Sequence, residues 1–466
     1  MVTEMVEYIR SFYFLFGMFV SLGVIGAVSA STLTTPEKAL EIIRSQDHHF
    51  DKPHVVKVAD NVYTAVGFHG ATTSMIVGSD GVVMIDTLMG PKSAKNAMDA
   101  LREASGVKLP VKAIVYTHAH GDHTGGTSAY IEYASDKASV RIIGPEGMGD
   151  DTGGNADIRT LLMKRGQFQF GRGLPSSQLT NRGIAPANTY DKDRGQGHVK
   201  PNVLVDGILE TTIAGIKLHL EQAPGETPEA MFVWLPEERV LFSGDNFYQA
   251  FPNLYAIRGT PYRDVRVWAA SDRKMAELKP VALVPGHTSP IIGEKEATGA
   301  LYDYANAIQS VYDQTVAGMN RMEDPVTIAQ NIKLPEDLSD KPWLRQVYGT
   351  VENASRSIYS GLVGWYDGNP MNLHPLSKQE RAVKFVELLG GQEAVETALK
   401  NAYKAEEYQW VLELADLVEA HTDFTEDLRK KILNLRVLSL RAIGEMESNP
   451  LNRNYYFSYS NYLEKN

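Results

Sequence analysis

At 466 residues the chain is long for a single core, so two or three domains are expected. Its composition is globular, 43% hydrophobic and 22% charged, and the absence of cysteine excludes disulfides, thiolate–zinc sites and a cysteine nucleophile together. With 57 Asp and Glu against 46 Lys and Arg and no basic run, a nucleic-acid partner is not expected, and an anionic substrate would need local positive charge to offset the net −11.

The first segment concerns location. Phe12 to Ala30 is uncharged and mostly apolar, and it ends in Val28-Ser29-Ala30, a small-residue cleavage pattern. Its length also suffices to span a bilayer, while Glu4 and Glu7 outweigh Arg10 in the flank before it. Residues 1–30 therefore read as a signal peptide or a membrane anchor. Either places the rest outside the cytoplasm, exported or anchored facing outward.

From Val55 to Thr87 the pattern is short, β-rich and broken by turns, with a hairpin signal at Ser79-Asp80-Gly81. Pro91 to Glu103 reads as an amphipathic helix and Val111 to Thr117 as a buried strand. A helix is expected after Gly125 and a strand over Val140–Gly144. Residues 146–200 read as a long irregular surface insertion of the kind that is often functional. Hairpins are expected over 203–222 and 231–245. A helix near Arg263–Leu278, a strand at 281–286 and a helix over Glu294–Asn320 complete two β-rich halves with helices outside, a four-layer α/β sandwich. From Leu376 the chain is helical in character, punctuated at Gly390-Gly391, His421-Thr422 and Asn449-Pro450. No catalytic cluster lies there, and an assembly module is the expectation.

The strand ending at Thr117 runs straight into His118-Ala119-His120-Gly121-Asp122-His123. Three histidines and an aspartate in six residues, buried without a metal, would cost several kcal/mol in unpaired polar groups. His118 and His120 can aim at one ion, Asp122 and His123 at a second beside it. Imidazole and carboxylate without thiolate suits zinc, with manganese or iron also accommodated.

This HxHxDH motif after a buried strand resembles the metallo-β-lactamase fold. Glu226 in Ala223-Pro224-Gly225-Glu226-Thr227, where most of that superfamily has histidine, is similar to the alkyl sulfatase branch. The resemblance implies further ligands at Glu226, Asp245 in LFSGDN and His287 in VPGH, with Asp245 bridging two ions where the branch tends to carry glutamate. It implies catalytic roles for Asp122 and Asp245. Sulfate contacts are implied at Asn253 and Arg258, more weakly at Arg263, and substrate contact at Tyr366 in the Gly364-Trp365-Tyr366-Asp367-Gly368 segment. The other histidines (48, 49, 54, 69, 198, 219, 374 and 421) are scattered and read as structural or surface residues.

The expectation is thus an αββα catalytic domain over 45–322, a linker over 323–375 packed near the site, and an all-α dimerisation domain over 376–465. Larger members of the branch continue into a sterol-carrier-like domain, and the expectation here is a chain that lacks it. The expected chemistry is hydrolysis of an anionic sulfate ester, an alkyl sulfate above all, by a hydroxide held between two zinc ions in a homodimer. The alternatives are another hydrolase of this fold, acting on a lactone, thioester or β-lactam, or a non-catalytic binding protein.

Overall fold

The computed structural model describes residues 32–148, 157–187 and 192–465. The leader read at 1–30 lies outside them. Among the described residues no helix is long and apolar enough to cross a membrane.

Two sheets make the middle of the molecule. The first has seven strands in sequence order, β1 (His54–Ala59), β2 (Val62–Val66), β3 (Thr73–Val77), β4 (Val82–Ile85), β5 (Val111–Val115), β6 (Arg141–Pro145) and β7 (Val203–Val205). It is antiparallel through β4 and parallel from β4 onward. The second holds β8 (Ile208–Ile213), β9 (Ile216–Gln222), β10 (Met231–Leu235), β11 (Val240–Gly244), β12 (Ala282–Pro285) and β13 (Ile291–Ile292), in order from one edge to the other. The hairpin reading of 203–222 needs one correction. Only β8–β9 is a hairpin; β7 pairs with β6 and closes the first sheet.

Alternating residues of both sheets meet between them: Ile76, Val83 and Val115 from one side, Leu220, Val233 and Phe242 from the other. The outer face of the first sheet is covered by α2 (Pro91–Ser105), following α1 (Pro36–Arg44), through Ala94, Met98 and Leu101. The two short helices α3 (Gly121–Thr124) and α4 (Thr127–Ile131) follow β5. The insertion is less irregular than its composition suggested, because it contains α5 (Arg159–Gln169). The second sheet is covered by α6 (Val265–Glu277) and α7 (Glu294–Asn320), whose Trp268, Leu301, Tyr304 and Ile308 are fully buried. The layers are helix, sheet, sheet, helix, as expected.

The linker is not a loose connection. After α8 (Pro325–Asn331) and α9 (Glu336–Ser339), α10 (Val351–Val363) buries Val351, Ala354 and Ile358 in the same core as α7. Beyond it come α11 (Lys378–Leu389), α12 (Gln392–Lys404), α13 (Tyr408–Val418), α14 (Glu426–Met446) and α15 (Pro450–Lys465). Ser377 and Glu380 form a reciprocal capping box that starts α11. The long helical run after Gly391 breaks at 405–407, where Glu406 takes a positive φ of 60°. Val395, Leu399, Val411, Leu414 and Phe424 form a separate apolar core there. The segment before α1 belongs with this module: Thr34 N donates to Met446 O at 2.9 Å and Ser448 N to Thr32 O at 3.0 Å.

Candidate metal centre

The chemistry-bearing residues come from the C-terminal ends of strands at one edge of the sandwich. β4 delivers Asp86, β5 delivers His118, β11 delivers Asp245 and β12 delivers His287. Because β4 runs parallel to β5 and β11 to β12, with Ile85 opposite Val115 and Gly244 opposite Pro285, these ends open in the same direction. Close approach here needs glycine. A β-carbon on Gly286 would stand 2.1 Å from Asp245 Oδ1.

Two groups of ligand atoms form. His118, His120, Glu226 and Asp245 each place one donor atom within 4.8 Å of the others, and so do Asp122, His123 and His287. Asp245 borders both: its Oδ2 lies 3.6 Å from His118 Nε2 and 3.3 Å from His287 Nε2, and its Oδ1 3.2 Å from His123 Nε2. A carboxylate so placed can bridge two ions. All seven residues named from the motif and the resemblance are brought together.

Three of them are aimed by a second partner. Asp86 accepts from Thr117 N and Oγ1, both at 2.9 Å, and its Oδ2 sits 2.8 Å from His123 Nδ1. His287 Nδ1 lies 2.7 Å from Gly70 O, leaving Nε2 for the centre. Arg263 donates to Glu226 Oε1 at 2.8 Å, leaving Oε2. Such outer partners fix tautomer and orientation. Composition and spacing did not single out Asp86, since a lone aspartate after a strand has no signature by itself.

The donor set fits a divalent metal on an observation of its own. His123 Nε2, Glu226 Oε2 and Asp245 Oδ1 are buried and have no hydrogen-bond partner. Buried, unpartnered atoms of this kind, one from each group and one from the carboxylate that borders both, are costly unless a cation answers them. Electrostatics divide the ligands: burial opposes charge on His123 and His287, but Asp245 draws both upward. Burial pushes the Glu226 carboxyl up to about 8, against the pull of Arg263. Burial also opposes ionisation of Asp245, but His287, His123 and His118 hold it well below the carboxylate range. Burial lowers His118 and His120, which favours the neutral imidazole a metal needs.

A cavity of about 210 Å³ opens over the centre. His120, Asp122, Glu226, Asp245 and His287 line it, and so does Arg258. Asn253 is buried and does not line the cavity; its Nδ2 has no partner and its backbone O accepts from Arg263. Arg263 needs correction as a substrate contact, because its guanidinium is engaged with Glu226 and Asn253 and it is absent from the lining. Tyr366 is likewise placed outside the cavity, its ring against that of exposed Trp365. The linker does reach the cavity, but through Tyr348. His69, read as structural or surface, lines it as well. So do Phe170, Arg172, Arg182, Ile184 and Arg194 of the insertion. Their positions depend on long-range packing that no local spacing reveals.

Fold and site together define a metallo-β-lactamase-type protein that uses a divalent metal. The model of the metallo-beta-lactamase superfamily matches residues 66–287, and that of alkyl sulfatase dimerisation matches 324–466. A linear primary-alkylsulfatase of Pseudomonas sp. (strain ATCC 19151) is 32% identical over 84% of this chain and 73% of its own length. An (R)-specific secondary-alkylsulfatase of Pseudomonas sp. is 31% identical over 86% of this chain and 61% of its own length. An alkyl/aryl-sulfatase of Saccharomyces cerevisiae is 30% identical, with this chain spanning 56% of its length. The solved structure of the stereoselective inverting sec-alkylsulfatase Pisa1 from Pseudomonas sp. superposes with a TM-score of 0.80 at 26% identity, covering 95% of this chain and 73% of that one. The chain belongs to the alkylsulfatase family of metallo-β-lactamase-fold proteins.

Proposed function

We propose that the protein hydrolyses sulfate esters, alkyl sulfates first among them, to the alcohol and inorganic sulfate. The observation that carries this reading is Arg258 lining the same cavity as the ligand cluster. A guanidinium fork suits a sulfate oxyanion, and a neutral lactone or β-lactam would leave it unanswered. Among the described residues no carboxylate lies within ion-pair distance of Arg258, so its charge is available to a ligand.

Two zinc ions would be held by His118, His120 and Glu226 on one side and Asp122, His123 and His287 on the other, with Asp245 between. When bound, they would supply an activated water and positive charge at the ester oxygens. The protein's share is positioning. Arg258 orients the sulfate, Asp86 keeps His123 in one tautomer, and Arg263 holds Glu226 facing the centre.

The working form we infer is a homodimer, with the match of residues 324–466 to the dimerisation model in support. Trp365, Met371 and Leu388 within that segment are more than three-quarters exposed and offer apolar surface to a second copy. Export or outward anchoring follows from the leader reading of 1–30.

The test is sulfate release from short, medium and long primary and secondary alkyl sulfates by zinc-loaded protein. A His118→Ala/His120→Ala variant serves as control. Release abolished in the control supports the reading. No release from fully metallated dimer would remove it.

A further inference from the structure

Glu226 is the ligand farthest from regular structure. It stands four residues beyond β9 and five before β10, on the turn Ala223-Pro224-Gly225-Glu226. The residue that meets this turn is Asn246, next in the chain after the shared Asp245. We propose that Asn246 is the positioning residue for Glu226, holding that ligand beside His118 and His120 so that it governs one metal position and leaves the other alone. This inference rests on the two-metal reading above and deepens it.

Three observations converge. First, one side-chain amide spans the turn. Asn246 Nδ2 donates to Ala223 O at 2.7 Å, and its Oδ1 accepts from Glu226 N at 3.2 Å. Those backbone groups belong to the first and fourth residues of the turn, which in a closed β-turn would bond each other. The amide takes the place of that bond, because asparagine offers a donor and an acceptor on one short side chain. Second, the fit leaves no slack. Asn246 is buried, and a β-carbon on Gly225 would stand 2.2 Å from its Oδ1. Third, α6 backs both the amide and the turn. Trp268 Nε1 donates to Asn246 O at 2.9 Å, and Ser271 Oγ to Pro224 O at 2.8 Å. Lys274, three residues further on, pairs with Glu221 near the end of β9. Residues three apart share a helix face, so one stripe of α6 supports the whole approach to Glu226.

The support is one-sided. Arg263 orients the Glu226 carboxylate and Asn246 holds its backbone, with Oε2 left 3.6 Å from His120 Nδ1. Among the described residues, no hydrogen bond joins Asp122, His123 or His287 to Asn246 or to the turn 223–226. Those three are set by other partners, Asp86 for His123 and Gly70 O for His287. Without the amide, Ala223 O and Glu226 N are free to close on each other. That shifts the ligand's backbone while its carboxylate stays tied to Arg263, and the geometry offered to the ion beside His118 and His120 is lost. An aspartate at 246 would instead set a carboxylate oxygen against Ala223 O, two acceptors with no proton between them.

The experiment counts zinc by plasma mass spectrometry on full chain equilibrated with graded chelator. The parent should hold two ions. Asn246→Ala should weaken one of them by about 10–100-fold, as loss of a ligand's outer partner does, and leave the second at the parent's affinity. Asn246→Asp, which keeps the acceptor for Glu226 N, should fall between the two. Pairing identifies the position. Combined with Asp122→Ala the losses should add, whereas in His120→Ala, which already disables the same position, Asn246→Ala should cost little more. Ser271→Ala leaves the amide in place and should weaken the same ion by a few-fold at most. The melting temperature of the metal-free variants reads ordinary packing loss, which would not choose between two ions. Equal weakening of both ions, weakening of neither, additivity with His120→Ala, or an equal effect of Ser271→Ala overturns this inference and leaves the two-metal reading standing. A parent that holds no second ion overturns both.

Discussion

The two walls of the cavity are built differently. The part that carries the ligand cluster stands on strand ends of two sheets whose cores are fully buried, and its side chains are aimed by Asp86, Gly70 O and Arg263. The other wall comes from a connection of more than fifty residues and from the 253–259 segment, secured by α5. There Gln169 Oε1 accepts from Arg258 N at 2.7 Å, and Arg165 donates to Ile257 O at 2.6 Å. On the proposed reading rigid sheet edges would carry the chemistry, where placement errors are costly. The irregular part would carry selection, where sequence can change without unseating a ligand.

Removing the shared carboxylate should produce the largest effect. Asp245→Ala takes a donor from both ligand groups, so turnover should fall by about 10³-fold or more, together with metal content measured by plasma mass spectrometry. Retained turnover would separate the strand-end cluster from the reaction altogether. On the other wall, Arg258→Ala should lower kcat/KM for sulfate esters by roughly 10²-fold with metal content unchanged. If metal were lost as well, the two walls would not be independent.

Legibility followed the same division. His118, His120, Asp122 and His123 lie within six residues, so their chemistry was visible in local spacing. Glu226, Asp245 and His287 needed the family's order and context, which the strand ends then honoured. Arg258 was found from its motif, but Arg263 five residues later was misplaced. One points into the cavity and the other backs Glu226, and five residues of loop carry no period from which to tell them apart. Arg182, Phe170 and Tyr348 had no signal because their neighbours lie tens to hundreds of positions away. The helix α5 was missed for a related reason: its Leu161, Leu162, Met163 and Phe168 do not recur at helical spacing, so no apolar stripe marks it.

Asp86 gives a finer test of the metal-facing wall. Asp86→Asn keeps the size but weakens the grip on His123, so zinc affinity should fall by about 10–100-fold, read by competition with a chelator. The arginine wall should be untouched, and the ratio between short and long alkyl sulfates at saturating zinc should stay as in the parent. A changed ratio would mean that the position of His123 is transmitted across the cavity.

The smallest effect should come from farthest away. Asn454 of α15 donates through Nδ2 to Gln169 O at 3.2 Å, and Gln169 in turn holds the backbone of Arg258. Gly171, at φ 62°, allows this approach, since a β-carbon there would stand 2.9 Å from Asn454 Oδ1. The last helix of the matched dimerisation segment is therefore two hydrogen bonds from the proposed sulfate contact. Asn454→Ala removes one hydrogen bond from a buried position, about 1 kcal/mol, and should lower kcat/KM by a few-fold with metal content and oligomeric mass preserved. An unchanged kcat/KM would show α5 holding Arg258 without help. Loss of zinc instead would show that the helical segment supports both walls, and the division between them would fall.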